Sequence, residues 1–190
     1  MGMTIHITVP HNITDVSLGN IADIFRPLDD VFNEIVRYYS RFDFKYPSQT
    51  WASRDTSYYR GSYPGSYAHV PVGFDAPAGF SFFFGPHTLS IHHYTRLGLF
   101  CTDPDIRQLL RSFSKQVLEL VSGESAIYSP DDYGIFDLIF AGKMFSEIEA
   151  HLLRLEAPAS SFADFESSSA QPRYYIDRFR DFSLVKTSVA

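Results

Sequence analysis

Apolar residues recur at Ile106, Leu109, Leu110, Phe113, Val117, Leu120 and Val121, the 3.6-residue stripe of a helix with one buried face. Asp103 is placed to cap that helix, Pro104 suits its first turn, and Thr102 with Asp105 has the spacing of a capping box. Gly123 stands where the left-handed residue that ends a helix is wanted. An earlier stripe, Ile21, Ile24, Phe25, Leu28, Val31, Phe32, Ile35, Tyr38 and Tyr39, is interrupted at Pro27, which predicts a short helix followed by a longer one. Ile135, Phe136, Ile139 and Phe140 fit a short helix before Gly142. Ser146 with Glu149 then opens another, carrying Ile148, Leu152, Leu153 and Leu155 as far as Pro158.

Period-two patterns mark the strands. Ile5, Ile7 and Val9 alternate with Thr4, His6 and Thr8 until Pro10, a half-buried strand in which His6 faces out. Phe80 to Phe84 and Thr88 to Tyr94, separated by Gly85, Pro86 and His87, read as a hairpin. Parity puts Leu89, Ile91 and His93 on one side and Ser90, His92 and Tyr94 on the other, so His92 and His93 cannot easily share one metal. In that pattern His93 is a structural histidine and His92 an exposed one. Ser125 to Tyr128 forms a further strand, ended by the turn-forming Ser129, Pro130, Asp131 and Asp132. Short strands are placed near Thr50 to Ser53 and Tyr67 to Val72, a late one spans Arg173 to Phe179, and the tail past Lys186 is expected to fray. The elements make a single α+β domain over residues 1–190. Its sheet is antiparallel or mixed, of about five or six strands, with helices packed mainly on one face.

From Tyr46 to Ala78 the pattern changes: Trp51, Tyr58, Tyr59, Tyr63 and Tyr67 are interleaved with Ser, Gly, Pro and Arg. Tyr, Ser and Gly mixed in this way suit binding loops, because Tyr offers a large amphipathic contact area at low side-chain entropy cost. The same aromatics would also serve to cover one end of a sheet.

Charge narrows the partners. With 22 acidic and 16 basic side chains the net charge is -6, and no run of Lys or Arg supplies the footprint that nucleic acid needs. A basic protein partner suits this balance. The single cysteine, Cys101, is expected to be a buried thiol in a reducing compartment. No signal-peptide pattern opens the chain and no run reaches the length of a membrane span, so a cytoplasmic protein without a membrane partner is expected.

The nucleophile elbow, the phosphate-cradling glycine loop and the dinucleotide fingerprint are absent; Gly61-Ser62-Tyr63-Pro64-Gly65 reads as a turn. The seven histidines have neither His-Glu-x-x-His nor paired-cysteine spacing, so no metal or other cofactor is expected. The strongest acid/base constellation places His87, His92 or His93 near Asp131 and Asp132, which would make a small hydrolase-like or transferase-like enzyme.

Leu99-Phe100 before a capped helix, then Glu124-Ser125-Ala126-Ile127-Tyr128-Ser129-Pro130-Asp131, then Gly142 with Ser146-Glu147-Ile148, form an order of elements. That order resembles bacterial immunity proteins encoded beside polymorphic toxins. It covers Leu99 to Phe179, less than half the chain, and transfers no residue role. The resemblance implies a cytoplasmic protein that binds and blocks a toxin delivered by type VI or contact-dependent systems. Trp51, Tyr58, Tyr59, Tyr63 and Tyr67 would then supply aromatic contacts, while Asp131 and Asp132 meet Arg or Lys of a basic toxin surface. The sequence leaves the oligomeric state open.

Overall fold

The computed structural model describes residues 4–42, 50–57, 71–130, 134–161, 164–165 and 174–179. Among these, strands β1 (Thr4–Pro10), β2 (Ala52–Arg54), β3 (Val72–Ala76), β4 (Phe80–Phe84), β5 (Thr88–Arg96), β6 (Ser125–Pro130) and β7 (Tyr175–Arg178) form one sheet. Their order is β2-β3-β4-β5-β1-β6-β7 and every pairing is antiparallel. The α+β class holds. The sheet has seven strands instead of five or six, because short strands of three and four residues, β2 and β7, close its two edges. The strand expected at Tyr67 to Val72 begins instead at Val72: Phe74 and Ala76 bury themselves opposite Phe82 and Phe80, and a tight turn at Pro77–Gly79 joins β3 to β4. Residues 67–70 lie outside the described residues.

The helices α1 (Leu18–Phe25), α2 (Asp29–Ser40), α3 (Leu97–Thr102) and α4 (Pro104–Val121) take one face of the sheet. Helices α5 (Ile135–Phe140) and α6 (Phe145–Leu155) cover part of the other. On the first face Ile5, Ile7, Phe80, Phe82, Leu89 and Ile91 meet the stripe Ile106, Leu110, Phe113 and Val117, with the Phe80 and Phe113 rings stacked at 4.2 Å. On the second face Ile127 and Tyr174 meet Ile135, Ile139, Phe140, Ile148 and Leu152. Pro27 sits in a 3-10 turn between α1 and α2, as the interruption in their common stripe requires.

Local signals differ from the expectation in four places. The Asp103 carboxylate caps α4 by accepting from the Asp105 and Ile106 amides at 2.8 and 3.3 Å, but the Thr102 hydroxyl donates to the Gly98 carbonyl and takes no part in a capping box. The left-handed residue after α4 is Ser122, at φ 58°, not Gly123. Gly123 is needed for another reason: a Cβ there would stand 2.5 Å from Leu118 Cδ2 and 3.1 Å from Pro10 Cγ. Helix α6 opens two residues earlier than Ser146 implies, since the Glu147 carboxylate accepts the Met144 amide at 2.9 Å. The residues before Asp103, which the sequence pattern assigned to no element, form helix α3, whose Phe100 ring stacks on Tyr128.

Candidate functional site

Where the cover of α5 stops, the described residues leave the second face of the sheet open. Strand β2 places Arg54 there, β3 Asp75, β4 Ser81 and Phe83, and β5 His92 and Tyr94, all by the two-residue alternation of paired strands. These side chains line two neighbouring recesses of about 220 and 170 Å³ that share Arg54, Gly79, Ser81 and Tyr94. Arg54 Nη1 donates to Asp75 Oδ1 at 2.6 Å and to Ser81 Oγ at 2.9 Å, and its guanidinium lies 5.5 Å from the centre of the Phe83 ring. Tyr94 is 52% exposed at the rim. Asp75 balances the charge of Arg54, so the recess is polar without being an anion trap.

His92 forms the inner wall. Its Nε2 lies 3.1 Å from Ser90 Oγ, and its ring stacks on that of His6, the residue opposite on β1, with centroids 3.6 Å apart and planes at 27°. Phe83 and Phe136 enclose the pair at 4.9 and 4.7 Å from His92. Burial, then the neighbouring His6 and Arg54, hold the His92 imidazole well below its ordinary pKa. His92 is half-buried and His6 only 7% exposed, which corrects the expectation that both face solvent. The polar alternation of β1 and β5 is real, but α5 lies over it. Thr8 Oγ1 and Ser129 Oγ are buried on the same face with no hydrogen-bond partner among the described residues.

His93 points to the opposite side, as parity requires, and is structural. Its Nε2 donates to the Ala78 carbonyl at 3.0 Å, which fixes the neutral tautomer. Its Nδ1 then accepts from the Thr95 amide at 3.2 Å and the Thr95 hydroxyl at 2.6 Å, and the Tyr39 hydroxyl in turn donates to Thr95 Oγ1. Burial lowers the His93 pKa to about 4 and raises that of Tyr39 to about 12. The chain also holds Ala78 in its left-handed conformation at φ 58°. No group of three His, Cys, Asp or Glu able to hold a metal occurs among the described residues.

Of the residues singled out for partner contact, Trp51 is half-buried, its ring against Phe25 at 5.8 Å and Phe82 at 5.0 Å. Tyr58, Tyr59, Tyr63, Tyr67, Asp131 and Asp132 lie outside the described residues. The cluster of Arg54, Asp75 and Ser81 was missed, because it joins residues from three strands whose order the pattern did not reveal. The signal that could have found the His6 and His92 pair is the polar face shared by Thr4-His6-Thr8 and Ser90-His92-Tyr94.

A second, open groove of about 480 Å³ runs between α2 and α4, lined among others by Glu34, Arg37, Arg41 and Asp105. At its floor the Tyr38 hydroxyl donates to Asp103 Oδ2 at 2.5 Å, which helps hold that carboxyl below its usual range. Among the described residues no helix is long and apolar enough to cross a membrane. Comparison with protein-family models, with curated proteins and with solved structures gives no match.

Proposed function

We propose that this chain is an immunity protein that binds a cognate secreted bacterial toxin and neutralises it without covalent chemistry. One observation carries the preference for contact over catalysis. His93 has both ring nitrogens committed to a neutral hydrogen-bonded chain running from Tyr39 to the Ala78 carbonyl, so it has no lone pair to offer a substrate. The acidic balance of the chain, -6, suits a basic toxin surface and would speed its encounter.

In this reading Tyr58, Tyr59, Tyr63 and Tyr67 are the aromatic anchors, with Asp131 and Asp132 meeting Arg or Lys of the toxin. Trp51 contributes what its packing on Phe25 and Phe82 leaves exposed. Replacing Tyr58, Tyr59 and Tyr63 together by alanine should weaken binding to the toxin domain by roughly tenfold or more, with circular dichroism unchanged. Unaltered affinity in that variant would remove the proposed surface.

A second reading draws on the recess beside His92, whose lowered pKa keeps it neutral at pH 7 as a base must be. It makes the chain a small hydrolase-like or transferase-like enzyme. Among the described residues no carboxylate stands within hydrogen-bond reach of His92 to orient it, whereas a general base usually has such a partner. Turnover of a small molecule that disappears in His92→Ala would favour this reading over binding.

A further inference from the structure

We propose that the stacked pair of His6 and His92 is an acid-sensitive latch, which holds the start of α5 against the sheet at neutral pH and releases it when His92 takes up a proton. The inference is independent of the identity of the partner.

The latch is built from four elements. β1 supplies His6, β5 His92, β4 Phe83, and α5 Phe136, whose ring lies 4.7 Å from His92, 6.0 Å from His6 and 5.2 Å from Phe83. Two imidazoles stacked at 3.6 Å suit each other while His92 is neutral, when the contact is one of flat polarizable rings between two phenylalanines. Adding a proton to His92 puts a charge beside a second imidazole and within reach of the Arg54 guanidinium, on a ring whose inner side is shielded from the water of the recess by Phe83 and Phe136.

Among the described residues, the groups facing His92 do not compensate that charge. β2 presents Arg54, already engaged by Asp75; β4 presents Ser81 and Phe83; β5 presents Ser90; β1 presents His6, opposite Ser129 of β6. Helix α5 presents Phe136, and its carboxylate, Asp137, is exposed. A charged His92 is therefore stabilised only by water, and water reaches the buried side of the ring only if Phe136 lifts. Burial, His6 and Arg54 all push its affinity for a proton in the same direction, down.

The sign follows from linkage. A histidine whose pKa is lower in the latched state than when exposed holds the latch fully above about pH 6.5, the ordinary value, and loosens it as the pH falls below. Each pH unit below that point multiplies the opening constant of α5 by up to about ten until the latched pKa is reached, less by whatever His6 and Arg54 still hold down in the open state. The first-face core, including α4, has no part in the pair.

Amide hydrogen exchange of the intact chain at pH 7.5, 6.5 and 5.5, corrected for intrinsic rates, tests the latch. The expected result is that amides of residues 135–140 open up to about tenfold more often per pH unit below about 6.5, a local response that follows His92, while those of α4, exposed only by global unfolding, follow the summed titration of His11, His92 and His93. His92→Phe, which keeps a stacking ring and cannot titrate, should abolish the response specific to α5 while retaining protection at pH 7.5. No response of α5 to acid, or a response of α5 that survives in His92→Phe, would overturn the proposal. Should that variant fail to fold, the imidazole resonances of the native chain decide: shifts of α5 amides that track the His92 titration support the latch, and α5 amides unmoved through that titration refute it.

Discussion

Three histidines among the described residues are held in their neutral form by the fold, two by paired hydrogen bonds and one by stacked rings. His93 donates to the Ala78 carbonyl and accepts from Thr95, His11 donates to the Gly85 carbonyl and accepts from the Ile13 amide, and His92 is sandwiched between rings. Burial lowers the pKa of all three, to about 4 for His93. A histidine with a depressed pKa stabilises the fold fully above about pH 6.5 and less as the pH falls towards its folded value. Acid should therefore weaken this protein steadily, His93 alone accounting for a loss of roughly 3 kcal/mol at pH 4 given its value of about 4. Denaturant unfolding at pH 7.5, 6 and 4.5 measures the effect; a stability that is flat or rises on acidification contradicts the assignment of neutral tautomers.

Two contacts decide how the elements are held to one another. The backbone of α5 comes so close to the turn between β4 and β5 that a Cβ on Gly85 would meet Ile139 Cγ2 at 2.7 Å and the Ile139 carbonyl at 2.8 Å. A carbonyl in a helix cannot swing aside as a side chain can, so Gly85→Ala should cost about 1–3 kcal/mol, seen as a lower Tm with earlier exchange of α5. A Tm equal to the parent would mean that α5 sits elsewhere. At the other face Asp103 both caps α4 and accepts the Tyr38 hydroxyl of α2. Asp103→Ala removes both at once and should destabilise by about 1–3 kcal/mol, while Asp103→Asn, which can still cap, should recover part of the loss. Equal stability of the two variants would argue against the cap.

At this scale much of the fold was legible in the sequence. The stripes of α2 and α4 have strong periods, and Asp103 with Pro104 marks the start of α4 without ambiguity. The hairpin of β4 and β5 and the central strand β1 follow from alternation alone. The second helical layer was harder to read, because Thr8, Ser90 and His92 make a face that alternation assigns to water, and only tertiary structure shows α5 lying on it. The cluster of Arg54, Asp75 and Ser81 depends on the pairing of β2 with β3 and β3 with β4, a long-range fact that no local pattern carries.

For the molecule as a whole, the proposed function has an acidic α+β domain occupy another protein's surface. Among the described residues its sheet is packed on one side by four helices and on the other by two, and of the histidines considered for chemistry His93 is part of its interior. Calorimetric titration of the purified chain into the catalytic domain of the proposed cognate toxin tests that reading most directly. The expected result is a one-to-one complex that weakens as salt is raised and abolishes toxicity on co-expression. Absence of any complex, together with turnover of a small molecule that is lost in His92→Ala, would contradict it.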